Sequence, residues 1–484
     1  MKVFSPKFLT GALWSFLDKV INQFSLLAIT IYLASRLGPE IFGLLGILSV
    51  FLLIGDSIVN SGLGQALIQR SKDVTSVQYS TVFIFNIMLA VLVYCILYAL
   101  SPFISDFYSI DELEPASKLI FLVIVLNSLS VVDRAKLTID LDFKSIAKAT
   151  FIGNLVGGST AIVLVNNGYD ESYVPLVWMS IIRVLFTTLI LRFSSKLKLY
   201  MKFDASEFKV LFHFGYKLLI AGVISAVSNN IYTLIVGKFF DSKSVGYYSQ
   251  SSNLTNTLSA AITSIVQGVS FPVMTEVKNE RKKLIALYQK LIKSTMLIIC
   301  PVMLGLVAVA NDFVVLFLGV DWLPIINLVS ILAISKILTP VSAINMNVLN
   351  AIGRSDLYLK VDLIKLPFSL TVIVIGSFMG IYYLAIGVLI MTLFAFVVNA
   401  YYPGKILGVG LFSQLNAMSK PILASVIMLL AVLSIDVEPS FIGLLAKIVL
   451  GVFIYLFSLI LIREEEAISV LNYVFKVIFK RKVN

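Results

Sequence analysis

A small set of ionisable residues falls inside long apolar runs of this 484-residue chain: Asp18, Lys19, Asp56, Asp133, Arg183, Lys217, Lys336, Asp362, Lys365 and Lys447. Placing such a group deep in an apolar span costs at least ~2.5 kcal/mol, so it ordinarily faces a partner or a water-filled cavity. Arg183, Lys336 and Asp56 lie near the middles of their runs, where snorkelling to water is hardest. They are the strongest cavity candidates. Asp18 with Lys19, and Asp362 with Lys365 at i,i+3 spacing, fit either local ion pairs or cavity groups. Lys217, Asp133 and Lys447 lie closer to run ends, where snorkelling or a junction pair accounts for them, and His213 reads as interfacial. Cations outnumber anions in the set, which favours an anionic cargo. Arg binds phosphate through two parallel hydrogen bonds, and Lys acts as a point charge. The expected substrate-binding set is Arg183, Lys336, Lys19, Lys365 and Lys217. Asp18, Asp56, Asp362, Asn229 and Asn347 are the expected cavity or ion-coupling groups.

Uncharged polar residues add to this pattern. Lys336, Thr339, Ala343, Met346, Asn347 and Asn350 recur at three- and four-residue spacings and share one helix face. The segment 245 to 271 is rich in Ser, Thr, Asn and Gln, and Ser225, Ser228 and Asn229 precede it. Together with the buried charges they predict a polar central cleft. Gly153, Gly157 and Gly158 are read as close helix packing. No phosphate-binding Gly-x-x-x-x-Gly-Lys-Ser/Thr loop is present. The two cysteines, Cys95 and Cys300, sit in apolar runs as packing residues. The sequence therefore predicts no catalytic residue, no metal site, no cofactor and no enzyme.

The elements that must hold these residues are membrane helices. The chain is 59% hydrophobic and only 13% charged, where soluble domains carry roughly 25% charge. About fourteen segments between residues 10 and 462 are long and apolar enough to span a bilayer, a length of roughly 20 residues each. The net charge of +11 does not indicate nucleic acid, because the basic residues are scattered through short connections. They concentrate at both termini and in alternate loops, including Arg134, Lys136, Lys144 and Lys148, then Lys196, Lys198 and Lys202, then Arg281, Lys282 and Lys283. The opposite loops carry only Arg36, Lys118, Lys238 and Lys243 beside several acids. The positive-inside rule places both termini in the cytoplasm.

An internal repeat organises the helices. Val20, Ile21, Ser25, Thr30, Gly43, Ser49 and Ser61 meet Val223, Ile224, Ser228, Thr233, Gly246, Ser252 and Ser264 at one constant offset. The expected fold is all-α and polytopic, with two six-helix bundles (1–203 and 204–410) related by a pseudo-two-fold axis along the membrane normal. Two further helices follow (411–462). The tail (463–484) places Ile468, Leu471, Phe475, Ile478 and Phe479 beside Lys476, Lys480, Arg481 and Lys482, the pattern of an amphipathic helix on an anionic leaflet.

Trp14-Ser15, Leu37-Gly38-Pro39-Glu40-Ile41-Phe42-Gly43, Gly62-Leu63-Gly64-Gln65-Ala66-Leu67-Ile68-Gln69-Arg70, Phe214-Gly215, Gly246-Tyr247-Tyr248-Ser249 and Phe271-Pro272-Val273 resemble the Wzx-type polysaccharide exporters. The resemblance is strongest to their colanic acid exporter-like branch, within the multidrug/oligosaccharidyl-lipid/polysaccharide flippase superfamily. It implies a flippase that moves undecaprenyl-diphosphate-linked oligosaccharide repeat units across the bacterial inner membrane by alternating access, for O-antigen, capsule or exopolysaccharide assembly. It also implies a Wzy-type polymerase and a chain-length regulator as partners. The resemblance assigns no binding role to individual residues. Two alternatives stand beside it, a drug/cation antiporter of the same superfamily and a membrane glycan polymerase. The antiporter would need a carboxylate-dominated cleft, and the polymerase a large outer loop.

Overall fold

The computed structural model describes residues 6–60, 62–70, 74–200 and 202–468. In chain order the helices are α1 (Pro6–Asn60), α2 (Leu63–Arg70), α3 (Ser76–Tyr108), α4 (Leu113–Ile120), α5 (Leu122–Ser128), α6 (Val131–Ile139), α7 (Phe143–Asn166), α8 (Val174–Ser195) and α9 (Ala205–Phe239). There follow α10 (Ser242–Glu276), α11 (Arg281–Phe317), α12 (Ile325–Lys336), α13 (Thr339–Ala351), α14 (Ser355–Met379), α15 (Ile381–Leu407), α16 (Leu411–Leu433) and α17 (Phe441–Leu461). No strand occurs among the described residues. Twelve stretches of the described chain are long and apolar enough to cross a membrane. Their outward faces carry exposed Phe378, Ile442 and Phe453, a surface suited to lipid rather than water. The expected amphipathic tail falls almost wholly outside the described residues, which end at 468.

The fourteen expected spans are not matched one for one. The first two run together as α1, whose interior breaks at Gly38 with φ 72° and ψ 172°. A side chain is strained at that positive φ, and glycine is not. Pro39 then restarts the helix, as proline does at a first turn, so the two helical segments join without a separate loop. Two expected spans are discontinuous: Leu113–Ile139 is divided at Phe121 and again at Leu129-Ser130, and Ile325–Ala351 is divided at Ile337-Leu338.

Local chemistry sets the helix starts. Thr75 and Gln78 form a reciprocal capping box at α3, which satisfies two otherwise orphaned N–H groups. Asp142, Asp204 and Ser440 cap α7, α9 and α17 by accepting backbone N–H bonds.

Backbone packing divides the chain into two compact units, Met1–Ser249 and Gln250–Asn484. In the first, α7 lies against both α1 and α8, and α9 packs on α1, α2 and α3. The expected glycine packing is observed there. A Cβ on Gly157 would come within 2.6 Å of the Met179 carbonyl oxygen, and one on Gly153 within 2.7 Å of that of Arg183. Leu63, Leu67, Val82, Val132 and Leu211 form a buried core nearby. In the second unit α11 packs on α16, α16 on α17, and α12 on α15. Its interior holds a closed polar ring: Tyr288 donates to Asn345 (2.7 Å), Asn345 to Gln414 (3.1 Å), and Gln414 to Tyr288 (2.9 Å).

The repeat-related glycines meet. A Cβ on Gly43 would strike the Ser242 carbonyl oxygen, and a Cβ on Gly246 would strike that of Pro39. In the repeat, Pro39 corresponds to Ser242 and Gly43 to Gly246, so the contact is reciprocal, the mark of a local two-fold. Glu40 and Lys243 pair across it at 3.1 Å.

Candidate functional site

In the first unit the broken span α4–α6 packs against α1 through α4 and α5. Gly55 allows the approach, because a Cβ there would lie 2.5 Å from Ile124 Cδ1. Beside it, Asn127 near the end of α5 donates to both carboxylate oxygens of Asp56, at 3.1 and 3.0 Å. The interrupted turns expose carbonyls that side chains then satisfy: Thr188 donates to Leu126 O at 3.2 Å, and Ser130 to Asn127 O at 2.9 Å. Such re-satisfaction is what makes a break tolerable in lipid.

Arg183 on α8 is the charged neighbour of Asp56. Its base is wedged against α7, with the Cβ of Arg183 2.8 Å from where a Cβ on Gly157 would stand. Its buried Nε has no hydrogen-bond partner among the described residues. A planar guanidinium with a free edge, next to a carboxylate already held by a neutral amide, retains capacity for an anionic ligand.

The second unit has a comparable feature. Lys336 is the last residue of α12, at the break before α13, and no carboxylate among the described residues pairs with it. A cation at a helix C-terminus is favoured by the exposed carbonyl ends. Ser259 on α10 donates to the freed Lys336 carbonyl at 3.4 Å. Asn347, on α13, donates to the buried Ser270 hydroxyl at 2.8 Å, which joins α13 to α10. Lys365 bonds Asp362 at 2.7 Å and the Asn399 side-chain oxygen at 3.2 Å, so both charges of that pair are engaged locally. The side chains of Asp18, Lys19, Lys217 and Asn229 lie outside the described residues.

Two charges near run ends have specific partners. Asp133 is fully buried, accepts a short hydrogen bond from Ser195 and pairs with Arg192 at 3.2 Å. Lys447 pairs with Asp312 at 2.8 Å, and both are largely buried. Sequence reasoning missed Asn127 and Asp312. Asn127 is a lone amide inside an apolar run, the kind of signal already used for the charges. Asp312 was hidden because the sequence places the end of this span near residue 310, whereas α11 continues to Phe317. Among the described residues no cluster of His, Cys, Asp or Glu is placed to hold a metal ion.

Comparison with known proteins gives a consistent picture. Over 437 residues the chain is 25% identical to an uncharacterized membrane protein in the cps region of Klebsiella pneumoniae, covering 89% of this chain and 90% of that one. It is 26% identical over 382 residues to the lipopolysaccharide biosynthesis protein WzxC of Escherichia coli (strain K12), covering 77% and 76% of the two chains. Its fold is similar to that of a solved structure of the lipid II flippase MurJ in an inward closed conformation, with a TM-score of 0.74 at 15% identity over 94% of this chain and 99% of that one. The family described as polysaccharide biosynthesis protein matches residues 32–327, more than half of the sequence, and the chain belongs to that family.

Proposed function

We propose that this protein is a flippase that carries an undecaprenyl-diphosphate-linked oligosaccharide repeat unit from the cytoplasmic to the outer leaflet of a bacterial inner membrane by alternating access. The observation that carries the reading is the pair of basic groups held inside spanning helices with unused bonding capacity: the Arg183 Nε edge in one unit and the Lys336 ammonium in the other. A cation in a span with unmet bonding capacity is costly, and a diphosphate would meet that capacity through charge-assisted bonds. The names of the relatives, a lipopolysaccharide biosynthesis protein and a lipid II flippase, point to the same class of cargo. The distribution of basic loops supports cytoplasmic termini. A polymerase of the Wzy type would then receive the flipped unit.

Deletion of the gene should leave lipid-linked repeat units accumulating on the cytoplasmic face. Arg183→Ala combined with Lys336→Ala should reproduce that block in cells. Bonds to charged groups are worth ~1.5–3 kcal/mol each, so each loss is expected to weaken cargo binding roughly 10- to 150-fold. Unimpaired export by the double variant would remove the proposed binding residues. Normal export with blocked chain lengthening in the deletion strain would indicate a polymerase, and intact glycan with altered drug efflux an antiporter.

A further inference from the structure

The start of α3, the end of α6 and the extended segment that follows α8 line an open cavity of about 560 Å³, bordered among others by Tyr79, Lys136, Asp140, Lys196, Lys198 and Tyr200. None of these residues belongs to the cargo site proposed above. Three lysines and one aspartate line it. Asp140 is taken up by Lys136 at 2.7 Å, while Lys196 and Lys198 have no ion-pair partner among the described residues. Ser76, at the start of α3, also lines the cavity.

The walls are fixed rather than loose. Ser195 is bonded to buried Asp133, which also holds Arg192. The Leu197 N–H then donates to Ser195 Oγ (3.3 Å), the Tyr200 N–H to buried Ser80 Oγ (3.0 Å), and the Asp204 N–H to buried Thr81 Oγ1 (3.1 Å). The backbone carrying both free lysines is therefore tied along its length to α3 and α8. Lys196 itself has φ 51°, a left-handed conformation that strains a side-chain-bearing residue and that glycine would adopt freely. A lysine stands there instead. Tyrosines beside the lysines suit the head-group level of a bilayer, where an amphipathic ring is stable.

We propose that this cavity binds the phosphate of an anionic phospholipid head group from the leaflet next to the basic loops. Basic pockets between the ends of spanning helices recognise such head groups, and juxtamembrane lysines contribute additively to the attraction. The assignment rests on the orientation proposed above, which puts the cavity at the cytoplasmic leaflet. Its function there is to hold a structural lipid against the segment that leads from α8 to α9.

The test uses the full-length protein purified in a neutral detergent, with lipid adducts counted by native mass spectrometry. Phosphatidylglycerol should be retained roughly tenfold better than phosphatidylcholine of the same chains. K196Q/K198Q should abolish that preference, and K196R/K198R should keep it. A thermal midpoint measured without added lipid checks that each variant is folded. The double K196R/K198R variant keeps the test decisive if the glutamines disturb the fold, because loss of preference in folded arginine protein counts against the site. Equal retention of both lipids by the wild type, or an unchanged preference in K196Q/K198Q, would overturn the proposal. So would soluble glycerol phosphate binding as tightly as the lipid, since the cavity would then take a free phosphate ester. Retention is read without translocation, so a failed flipping assay with intact lipid preference counts against the proposed function alone.

Discussion

Asp312 and Lys447 show what the buried charges require. Each is nearly sealed from solvent and each neutralises the other at 2.8 Å, so removing one strands the other. Asp312→Ala should lower stability by ~3–5 kcal/mol, while replacing both by apolar residues, D312L with K447M, should restore most of it. Thermal unfolding in detergent reads both. Outside the spans, Asp204 at the start of α9 is held below the ordinary carboxylate range by the Ser206 hydroxyl and the N–H groups of Glu207 and Ser206. Its depressed value means a stabilising contribution that is fully present above about pH 3.9 and is lost as the pH falls through the folded value. Asp204→Ala should therefore be less stable than wild type at neutral pH, with the gap closing under acid in a pH series of melting curves. At this scale the sequence showed which charges are costly but not who answers them. Asp56 meets Asn127 at 71 residues' separation and Lys447 meets Asp312 at 135. Only packing determines such partners.

Whole elements were more legible, because hydrophobic runs and glycine spacing act locally. Gly43 and Gly246, matched at one offset in the sequence, meet in a reciprocal contact where any side chain would strike backbone. Gly43→Val or Gly246→Val should force that crossing apart. The cost should be at least the ~1–3 kcal/mol of ordinary overpacking, because the obstructing atoms are carbonyls that cannot rotate away. Gly268, also on α10, has nothing within 4 Å of the point where a Cβ would stand. Gly268→Ala should thus leave stability unchanged or raise it by up to ~1 kcal/mol, and the contrast between the two is measurable by thermal midpoint. The breaks in the spans 113–139 and 325–351 were not legible, since the apolar run continues through Phe121 and Ile337 without a glycine. Pro340 at the start of α13 is the one local hint. Those breaks place Asn127 near one chain interruption and Lys336 at another.

For the whole molecule, composition established a polytopic membrane protein, and the family match and helical fold agree with it. The sugar carried is not written in these residues, because cargo shape is a property of the cavity. The proposed phosphate-binding capacity rests on two basic groups, the Arg183 guanidinium with its unbonded Nε and Lys336 at the end of α12. The measurement that addresses this most directly is transport by the purified protein reconstituted in liposomes. A fluorescent polyprenyl-diphosphate oligosaccharide in one leaflet is followed by its exposure to a membrane-impermeant quencher. Flipping through a cationic site predicts protein-dependent exposure that falls at least tenfold with Arg183→Ala and Lys336→Ala combined. Exposure at the rate of protein-free liposomes, or a rate that the double substitution leaves unchanged, would contradict it.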